Sequence, residues 1–566
     1  MEKRIVECVP NFSEGRDKAV IRQITSAIES SGGVKLLDVD PGEATNRTVV
    51  TFVGSPEAVI EAAFAGVKRA AELIDMRRHK GAHPRMGATD VLPLIPICGI
   101  TLAECAELAR KLAERIAAEL HVPTYCYEAA AFTPERRNLA VCRAGEYEAL
   151  PEKLAHKEAA PDFGARPFDD GVARTGATTV GARDFLIAVN FNLNTTSTRR
   201  ANAIAFDVRE KGRPVREGNP VTGKVVKDAA GNPVMQPGTL PATKAIGWFI
   251  EEYGIAQVSM NITDIATTPL HVAFDEVCRK ADARGVRVTG TEIVGLVPKR
   301  ALIEAGKYFL RKQRRSTGIA EQEIVRIAVR SMGLDDLKPF DPAEKVIEYL
   351  LEAEDKQKRL IDMTCKGFAE ETASESPAPG GGSVAAYMGA LGAALGTMVA
   401  NLSSHKAGWD DRWEEFSDWA ERGQAVLAEL LHLVDEDTAA FNRIMAVFAM
   451  PKSTDEEKAA RSAALQEATL YATEVPLRTM KAASRVFEIV RAMASEGNPN
   501  SVSDAGVGAL AARSAVLGAC LNVKINAAGL KDRAVADALI AEADALAAEA
   551  VRLEAEVLQI VESKIG

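Results

Sequence analysis

The feature that most constrains the fold of this chain is a change of pattern across residues 339–358. Before this segment, short apolar runs alternate with amphipathic helical stretches. After it, the chain is rich in alanine and has the pattern of helices almost throughout. The segment itself is charged, as a connection between domains commonly is. The sequence therefore predicts a multidomain protein in which an α/β half precedes an all-α half.

The N-terminal half predicts two α/β subdomains. The first 145 residues predict the order β-α-β-β-α-β-α-β, which contains the split βαβ arrangement of a ferredoxin-like α+β layer. A second α/β unit is predicted from Gly181, and an exposed excursion at Gly212–Thr243, with a hairpin around residues 230–232, interrupts it. We therefore expect subdomains at 1–180 and 181–338, a linker at 339–358 and a helical domain at 359–566.

Composition excludes several classes of function. The 566-residue chain has a net charge of −10, and nucleic-acid binding as the main function would need a basic face. The N-terminus lacks the apolar core of a signal peptide, and the most apolar stretch, Val384–Leu402, is only weakly hydrophobic, so no membrane partner is expected. The eight cysteines show no C-x-x-C and no metal-ligand spacing, which predicts free thiols in the cytoplasm and no metal site.

A loop between a predicted helix and a predicted strand carries two histidines. Residues 78–90 read R-H-K-G-A-H-P-R-M-G-A-T-D, and glycine and proline interrupt any helix on which His79 and His83 could bind a metal together. Histidine titrates near neutral pH and can both accept and donate a proton. From these residues alone, solvated loop histidines and an acid/base site beside the strand-end carboxylate Asp40 both stay open.

A second motif, P-A-P-G-G-G-S at Pro377–Ser383, precedes a predicted helix. It suits an anion-binding helix N-terminus, and equally a tight loop before closely packed helices. Downstream, Asp437 occupies one position of an apolar stripe, and Asp504 is a comparable polar interruption of a helical pattern. The stripe consists of Leu427, Leu430, Val434, Phe441, Ile444 and Phe448. A carboxylate on such a face is either paired with a neighbour or functional.

Several motifs of the N-terminal half resemble, in the same order, the glutamate formiminotransferase family. The matching segments are Glu7–Arg16, Leu36–Asp40, Thr45–Thr48, His79–Ala88, Arg143–Leu150, Pro161–Gly164, Gly181–Arg183 and Val294–Pro298. The resemblance implies transfer of the formimino group from N-formimino-L-glutamate to tetrahydrofolate, with His83 as the catalytic acid/base and Asp40 assisting it. Arg85 or Arg47 is a candidate for holding a substrate carboxylate.

The resemblance also assigns a folate-binding stretch, which follows P-D-F-G and is a few residues longer here than the family pattern. The positions assigned to folate are Gly164, Ala165, Arg166, Pro167, Phe168, Asp169, Asp170, Gly171, Val172, Ala173, Arg174, Thr175 and Gly176.

The C-terminal half resembles the formiminotetrahydrofolate cyclodeaminases through P-x-P-G-G-G-S, through L-V-D-x-D-x-x-A-F at Leu433–Phe441 and through Asn522–Asn526. The resemblance implies that Asp437 assists proton transfer while 5-formiminotetrahydrofolate cyclises to 5,10-methenyltetrahydrofolate and ammonia leaves. Together the two halves would act in histidine breakdown as a homo-oligomer, with tetrahydrofolate as cosubstrate and no metal or redox cofactor. Two alternatives stay open for the helical half: a methenyltetrahydrofolate cyclohydrolase, or a non-catalytic oligomerisation module.

Overall fold

The computed structural model describes residues 4–42, 46–81, 85–218, 223–352 and 359–565. The chain divides into two compact units. The first comprises residues 1–301 and 332–352, and the second comprises residues 302–331 and 353–566.

The N-terminal part of the first unit is a seven-stranded sheet with helices. Its strands are β1 (Ile5–Cys8), β2 (Asn11–Phe12), β3 (Val34–Gly42), β4 (Arg47–Gly54), β5 (Thr89–Cys98), β6 (Thr124–Glu128) and β7 (Thr178–Ala182). Its helices are α1 (Lys18–Ser30), α2 (Pro56–Leu73), α3 (Leu102–Leu120), α4 (Leu139–Cys142), α5 (Leu150–Ala155) and α6 (Asp170–Thr175).

The strand order of this sheet is that of a ferredoxin-like layer with a parallel extension. The strands β1 and β2 both pair antiparallel with β4 on one side and with β5 on the other, and β3 pairs with the far edge of β4. Strand β7 then lies between β5 and β6 and is parallel to both. The predicted ferredoxin-like layer is confirmed, whereas the short buried strand β7 is missing from the predicted order.

Local signals explain why the helices of this layer begin and end where they do. The side chain of Asp17 accepts hydrogen bonds from two backbone N–H groups at the start of α1. Thr101 and Glu104 form a reciprocal capping box at the start of α3, and His121 ends α3 in the left-handed conformation. The predicted bounds of α3, Leu102–Leu120, are therefore those observed.

The second part of the first unit is a four-stranded antiparallel sheet in the order β11-β12-β8-β13. The strands are β8 (Ile187–Leu193), β9 (Arg213–Pro214), β10 (Met235–Gln236), β11 (Thr243–Ile250), β12 (Ile255–Ile262) and β13 (Val288–Val294). Its helices are α7 (Thr198–Val208), α8 (Leu270–Asp282), α11 (Pro342–Lys345) and α12 (Ile347–Glu352). Helices α9 (Lys299–Lys312) and α10 (Glu321–Met332) lie almost entirely within residues 302–331 and so belong to the second unit. This β-α-β-β-α-β order is a second ferredoxin-like layer.

The excursion in this part is a hairpin, as predicted. Strands β9 and β10 pair antiparallel, and the backbone N–H of Asp228 donates to the carbonyl of Asn232 at 2.8 Å across the predicted turn. Strand β11 was not predicted. It begins at Thr243, where the excursion was expected to end, and Gly247 in its centre lies against the backbone of Asn202 in α7.

The second unit is built from long helices. They are α13 (Cys365–Thr372), α14 (Gly381–Ser404), α15 (Trp413–Phe448), α16 (Asp455–Glu496), α17 (Val502–Ala527) and α18 (Arg533–Ile565). Helices α14 and α17 run antiparallel and approach closely, because Gly389 lies against Ala515 and Gly392 lies against the backbone of Gly508. The core is rich in buried alanine, which permits this spacing. The predicted fold class, α/β followed by all-α, is confirmed.

The loop between α9 and α10 is anchored within the second unit. The backbone N–H of Thr317 donates to the Ser417 hydroxyl at 3.0 Å, and Asn401 Nδ2 donates to the Gly318 carbonyl at 2.8 Å. A Cβ at Gly318 would lie 2.4 Å from the Cβ of Ala420. Residues 302–331 therefore pack with the helical unit through α14 and α15.

Within the described residues, two helical segments are long and apolar enough to cross a membrane. They are Gly381–Ser404 and Pro499–Ala527. However, 61% and 50% of their apolar windows are buried inside the second unit, and buried core helices meet the same criterion. Both helices therefore also fit the core of a folded domain, and the predicted lack of a membrane partner stays a prediction.

Glu7 is a carboxyl group buried in β1, with 4% of its surface exposed. Burial raises its pKa from 4.5 to about 7, although the nearby charge of Arg183 opposes the shift. Between these two pKa values the folded protein keeps a proton that the unfolded chain releases. The free energy of unfolding therefore falls as pH rises through this window and is level above it.

We expect Glu7→Gln to raise the free energy of unfolding at about pH 8 by up to about 3 kcal/mol, with little effect at about pH 4 or below. Thermal unfolding of both proteins across this range measures the difference. The same change at Glu107, an exposed position of α3, should leave the pH dependence as it is. Parallel curves for the wild type and Glu7→Gln would contradict the expectation.

Candidate active sites

Asn46 joins the separate pieces of the first motif. It is buried and has the left-handed backbone conformation, with φ 48°, which asparagine tolerates better than most residues. Its Oδ1 accepts the backbone N–H of Gly15 at 3.0 Å, and its Nδ2 donates to the carbonyl of Lys80 at 3.1 Å. The partners lie 31 and 34 residues away in sequence. The sequence places Asn46 within a motif but predicts no role for it, because these contacts carry no local signal.

Both ring nitrogens of His79 have structural partners. Its Nε2 lies 2.8 Å from the carbonyl of Asn46, and its Nδ1 accepts Arg85 Nε at 3.3 Å. A carbonyl only accepts, so Nε2 carries the proton and the ring is neutral. Burial is the largest cause that lowers the pKa of His79, which favours the same neutral form. The structure therefore gives His79 a role in holding the loop.

His83 lies outside the described residues, with Ala82 and Pro84. The structure describes the ends of this loop, at Gly81 and Arg85, and they adjoin the contacts of Asn46 and His79. The assignment of His83 as acid/base stays a prediction.

Asp40 and Arg47 lie on the paired strands β3 and β4. Asp40 is exposed, and its neighbour Gly42 pairs with Arg47 in the sheet register. Burial is the largest influence on the Arg47 guanidinium and lowers its pKa, while Asp90 and Asp40 oppose the shift. The structure thus brings the predicted carboxylate Asp40 into the electrostatic surroundings of the predicted cation Arg47.

Arg85 is engaged by acidic side chains of its own unit. Its guanidinium donates to Glu148 at 2.8 and 2.9 Å and to Glu146 at 3.2 Å, and 12% of the side chain is exposed. The bond to Glu148 is the largest cause that raises the pKa of Arg85. A substrate carboxylate at Arg85 would therefore have to compete with two glutamates. The assignment of Arg85 or Arg47 to a substrate stays a prediction.

A buried ion pair holds the far end of the loop. Asp90 accepts a hydrogen bond from Arg143, and its Oδ1 accepts the backbone N–H of Met86 at 2.9 Å. Burial raises the pKa of Asp90 to about 6, against the effect of Arg143. Neither residue is among those predicted for the site. The nearest signal in the sequence is the aspartate that closes the R-H-K-G-A-H-P-R-M-G-A-T-D run.

The predicted folate-binding stretch adjoins the same loop. The backbone N–H of Ala88 donates to the carbonyl of Thr175 at 2.8 Å, and Ala177 N–H donates to the carbonyl of Met86 at 3.1 Å. Gly87 and Gly176 face each other across this bridge. The end of the stretch therefore lies against the histidine loop. The start of the stretch is more open, with Gly164, Ala165 and Pro167 exposed.

The contact at Gly176 leaves no room for a side chain. Its φ is +67°, and a Cβ there would lie 2.2 Å from the Met86 carbonyl oxygen. We expect Gly176→Ala to lower the free energy of unfolding of the first unit by about 2–4 kcal/mol and to reduce transferase activity. Urea unfolding followed by intrinsic fluorescence measures the first effect.

Gly254→Ala is the matched control. Gly254 also has a positive φ, +64°, but a Cβ at this position would meet no described atom within 4 Å. Its loss should be limited to the backbone cost, about 1–2 kcal/mol. Equal losses in the two variants would show that the close approach at Gly176 contributes nothing.

The second candidate site lies where α14 begins against α15. Asp437 Oδ2 accepts the Ser383 hydroxyl at 3.0 Å, and a Cβ at Gly382 would lie 2.1 Å from Asp437 Oδ1. Burial raises the pKa of Asp437, and the hydrogen bonds from Ser383 partly offset this. Two motifs more than 50 residues apart therefore meet at one carboxyl group.

The two aspartates of the D-x-D run have different surroundings. Asp435 Oδ1 accepts the backbone N–H of Leu360 at 2.6 Å and so holds the chain that leads into the helical unit. Asp437 instead faces the P-G-G-G-S turn. Asp435 therefore has a structural partner, and Asp437 is the aspartate of this run that the family resemblance assigns to the active site. That assignment stays a prediction.

The third motif reaches the same place. A Cβ at Gly381 would lie 3.6 Å from Asn522 Nδ2, so the Asn522–Asn526 run begins beside the start of α14. Asn526 turns away and donates to the carbonyl of Ala472 at 2.7 Å. The structure thus brings together the first residue of this run, the glycine turn and Asp437.

The predicted apolar stripe of α15 is partly wrong. Phe441 and Phe448 are 37% and 54% exposed, whereas the buried face near Asp437 consists of Leu430, Leu433, Val434 and Ala440. Asp504 has a local explanation, since it lies in the first turn of α17, where the helix dipole favours an acidic side chain. Asp437 remains on the side of α15 that packs inward.

The two candidate sites lie in an α/β unit that carries the histidine loop and in a helical unit that holds a half-buried carboxyl group, as expected of an enzyme with two active sites. Family models match along the chain: "Formiminotransferase domain, N-terminal subdomain" over residues 5–183, "Formiminotransferase domain" over 188–352 and "Formiminotransferase-cyclodeaminase" over 364–545. Formimidoyltransferase-cyclodeaminase of Mus musculus is 43% identical over 529 residues, which cover 94% of this chain and 93% of the relative. The chain belongs to the formimidoyltransferase-cyclodeaminase family of bifunctional enzymes.

Proteins that cover only one half of this chain also match. Glutamate formimidoyltransferase of Streptococcus pyogenes serotype M1 is 42% identical over 307 residues, which cover 54% of this chain and 93% of that protein. Methenyltetrahydrofolate cyclohydrolase of Methylorubrum extorquens is 40% identical over 202 residues, which cover 36% of this chain and 97% of that protein. The predicted family and its two enzymatic activities are confirmed.

Proposed function

We propose that the first site transfers the formimino group of N-formimino-L-glutamate to N5 of tetrahydrofolate and that His83 carries the proton. N5 must lose a proton as it attacks the amidine carbon, and the departing glutamate nitrogen must gain one. Both ring nitrogens of His79 already have hydrogen-bond partners, which supports His83, the other histidine of the motif, as the residue that carries the proton. Asp40 assists His83, and Arg85 or Arg47 holds a substrate carboxylate; at Arg85 that carboxylate would compete with two glutamates.

Tetrahydrofolate is the cosubstrate, and the stretch from Gly164 to Gly176 is the part of the first unit that we propose to contact it. The observation that supports this assignment is the backbone bridge between Gly87 and Gly176, which sets the stretch beside the histidine loop. Close placement of two reactants is itself a large contribution to such a transfer. Across the described ranges, no three His, Cys, Asp or Glu side chains gather as metal ligands would. The absence of a metal requirement stays part of the proposal.

The second site closes the ring. In 5-formiminotetrahydrofolate protonated at its imino nitrogen, N10 attacks the formimino carbon and loses its proton. The former imino nitrogen takes up that proton, its bond to the carbon breaks, and it leaves as ammonia. The product is 5,10-methenyltetrahydrofolate. Asp437 carries the proton between the two nitrogens. The observation that carries this assignment is the half-buried carboxyl group of Asp437, which is held at the glycine turn where three sequence motifs meet.

A cyclohydrolase activity of the helical unit is the second candidate. The 40% identity to methenyltetrahydrofolate cyclohydrolase supports it. The two activities differ in the bond that is broken, since only the cyclodeaminase releases ammonia.

A coupled assay with N-formimino-L-glutamate and tetrahydrofolate tests the whole proposal. We expect glutamate, ammonia and methenyltetrahydrofolate to form in equal molar amounts, the last measured by its absorbance. Absence of glutamate would contradict the transferase assignment. Glutamate without ammonia would contradict the cyclodeaminase assignment alone, and ring opening of added methenyltetrahydrofolate would then support the cyclohydrolase.

We also propose that the chain forms a homo-oligomer through α14 and α17. These adjacent helices expose one apolar stripe each, formed by Leu391, Met398 and Leu402 on α14 and by Val507, Leu510, Leu521 and Ile525 on α17. Large exposed apolar patches favour association. Light scattering should give a particle mass that is a multiple of the chain mass of 60.5 kDa. A particle of single-chain mass would contradict this proposal.

The predicted domain boundaries, 1–180, 181–338, 339–358 and 359–566, remain a proposal, and β7 ends at Ala182, just beyond the first of them. A cytoplasmic location is also proposed. The eight cysteines are free thiols, as is usual in a reducing compartment.

A further inference from the structure

Ser383 has two acceptors for one proton. Its side chain is fully buried, and its Oγ lies 2.9 Å from the carbonyl oxygen of Val434 and 3.0 Å from Asp437 Oδ2. A hydroxyl group donates one hydrogen bond and accepts up to two. Val434 O can only accept. The contact with Asp437 can therefore reverse its direction when Oδ2 of Asp437 gains or loses a proton.

Two arrangements satisfy the geometry. When Asp437 is ionised, the Ser383 hydroxyl donates to the carboxylate. When Asp437 carries a proton, that proton is donated to Ser383 Oγ, and the Ser383 hydroxyl turns to the carbonyl of Val434. No bond to serine breaks in this change, because its proton only rotates about the C–O bond. The carboxyl group keeps a hydrogen bond to the Ser383 hydroxyl in both states.

We propose that Ser383 is a positioning residue for ring closure, which holds Asp437 in place in both of its protonation states by turning one hydroxyl proton between Asp437 and Val434. This inference rests on the proposed role of Asp437. A group that accepts a proton from N10 and returns it to the leaving nitrogen must be held in both states, because a shift of the carboxyl group between the two steps would separate it from one nitrogen.

The surroundings of Asp437 make Ser383 its main polar influence. Among the described residues, the causes that act on the pKa of Asp437 are burial and the hydrogen bonds of Ser383. The charged groups on the packed elements have other partners. Asp435 accepts the Leu360 N–H, Glu436 lies 3.6 Å from His432, and Lys524 on α17 pairs with Asp544 on α18 at 2.5 Å.

Gly382 leaves the space in which Asp437 and Ser383 meet. A side chain at this position would occupy the space of the Asp437 carboxyl group, since a Cβ would lie 2.1 Å from Oδ1. The glycine thus lets the carboxyl group approach the backbone at the start of α14, where Ser383 follows. The hydroxyl of Thr438, at 3.4 Å from Ser383 Oγ, can supply a weak additional contact.

The test is the pH dependence of ammonia release from 5-formiminotetrahydrofolate by the full chain. Ser383→Ala removes a hydrogen bond to the ionised carboxylate, so the pKa of Asp437 should rise. We expect kcat for ammonia release to fall about 10- to 100-fold and the acid limb of its pH profile to move to higher pH. Ser383→Cys, with a weaker donor of similar size, should show a smaller move in the same direction.

Thr397→Val is the matched control, because Thr397 is another buried hydroxyl of α14 whose bond goes to a backbone carbonyl, that of Ala393 at 2.7 Å. Thr397→Val should leave the pH profile of ammonia release unchanged. Glutamate release reports on folding of the first unit, and thermal unfolding reports on the second.

The outcomes separate the two proposals. A lower rate in Ser383→Ala with an unmoved pH profile would mean a packing role and would overturn the inference, as would an unchanged rate. If Ser383→Ala fails to fold, Ser383→Cys decides by the same criterion. Full ammonia release by Asp437→Asn would instead overturn the proposed role of Asp437, and the role of Ser383 with it.

Discussion

The Asp437→Asn protein is expected to release glutamate at the wild-type rate and to release ammonia at least about 100-fold more slowly. The amide has nearly the shape of the carboxyl group, so the packing between α14 and α15 should persist. What it lacks is a site that gains and loses a proton. Burial raises the pKa of the native carboxyl group above its usual range, which favours uptake of a proton during the reaction.

Two controls distinguish a loss of proton transfer from a general loss of structure. The transferase activity of the same chain is an internal control, since it depends on the first unit. Asp435→Asn is the matched variant, because the amide oxygen can still accept the Leu360 N–H, so ammonia release should largely persist. Undiminished ammonia release by Asp437→Asn would show that ring closure does not depend on this carboxyl group.

The second large effect is expected at His83. His83→Gln should reduce glutamate release at least about 100-fold and leave the conversion of added 5-formiminotetrahydrofolate unchanged. Glutamine keeps polar atoms in the loop but cannot carry a proton between the attacking and departing nitrogens. A stopped assay for glutamate, with 5-formiminotetrahydrofolate supplied separately for the second activity, measures both effects on one preparation.

His79→Gln separates proton transfer from loop structure. His79 donates to the Asn46 carbonyl and accepts from Arg85, and glutamine can make only an imperfect copy of these contacts. We expect a loss of stability of about 1 kcal/mol and a smaller, pH-independent loss of transferase rate. A larger effect at His79 than at His83 would reverse the assignment of the two histidines.

The sequence predicted those parts of the fold whose causes are local. Helix α3 is bounded by the Thr101 and Glu104 capping box, and its apolar spacing is regular, so its limits could be predicted to the residue. Strand β7 was missed because five small or β-branched residues, fully buried on both faces, show no alternation. Strand β11 was missed because Gly247 interrupts a pattern whose apolar residues Ile246 and Trp248 are partly exposed.

In the candidate sites, too, the features with a local cause could be predicted and the others could not. The spacing of Asp437 within an apolar helix predicted an inward-facing carboxyl group, and the structure agrees. Which neighbouring residues share that face could not be predicted, since Phe441 and Phe448 have helical spacing but are exposed in the single chain. The role of Asn46 was also beyond prediction. Its partners, Gly15 and Lys80, lie in loops 31 and 34 residues away, and only the tertiary fold brings these loops to Asn46.

The division into two units limits how the two activities can be separated by a change in the gene. The chain passes between the units after Ala301, after Ser331 and again after Glu352. One stop codon in the 339–358 segment would leave residues 302–331 on a fragment without the helices that receive Thr317 and Gly318. A gene for the downstream part alone would lack that loop. A lineage that dispensed with one activity would therefore have to rebuild a buried surface on the remaining part.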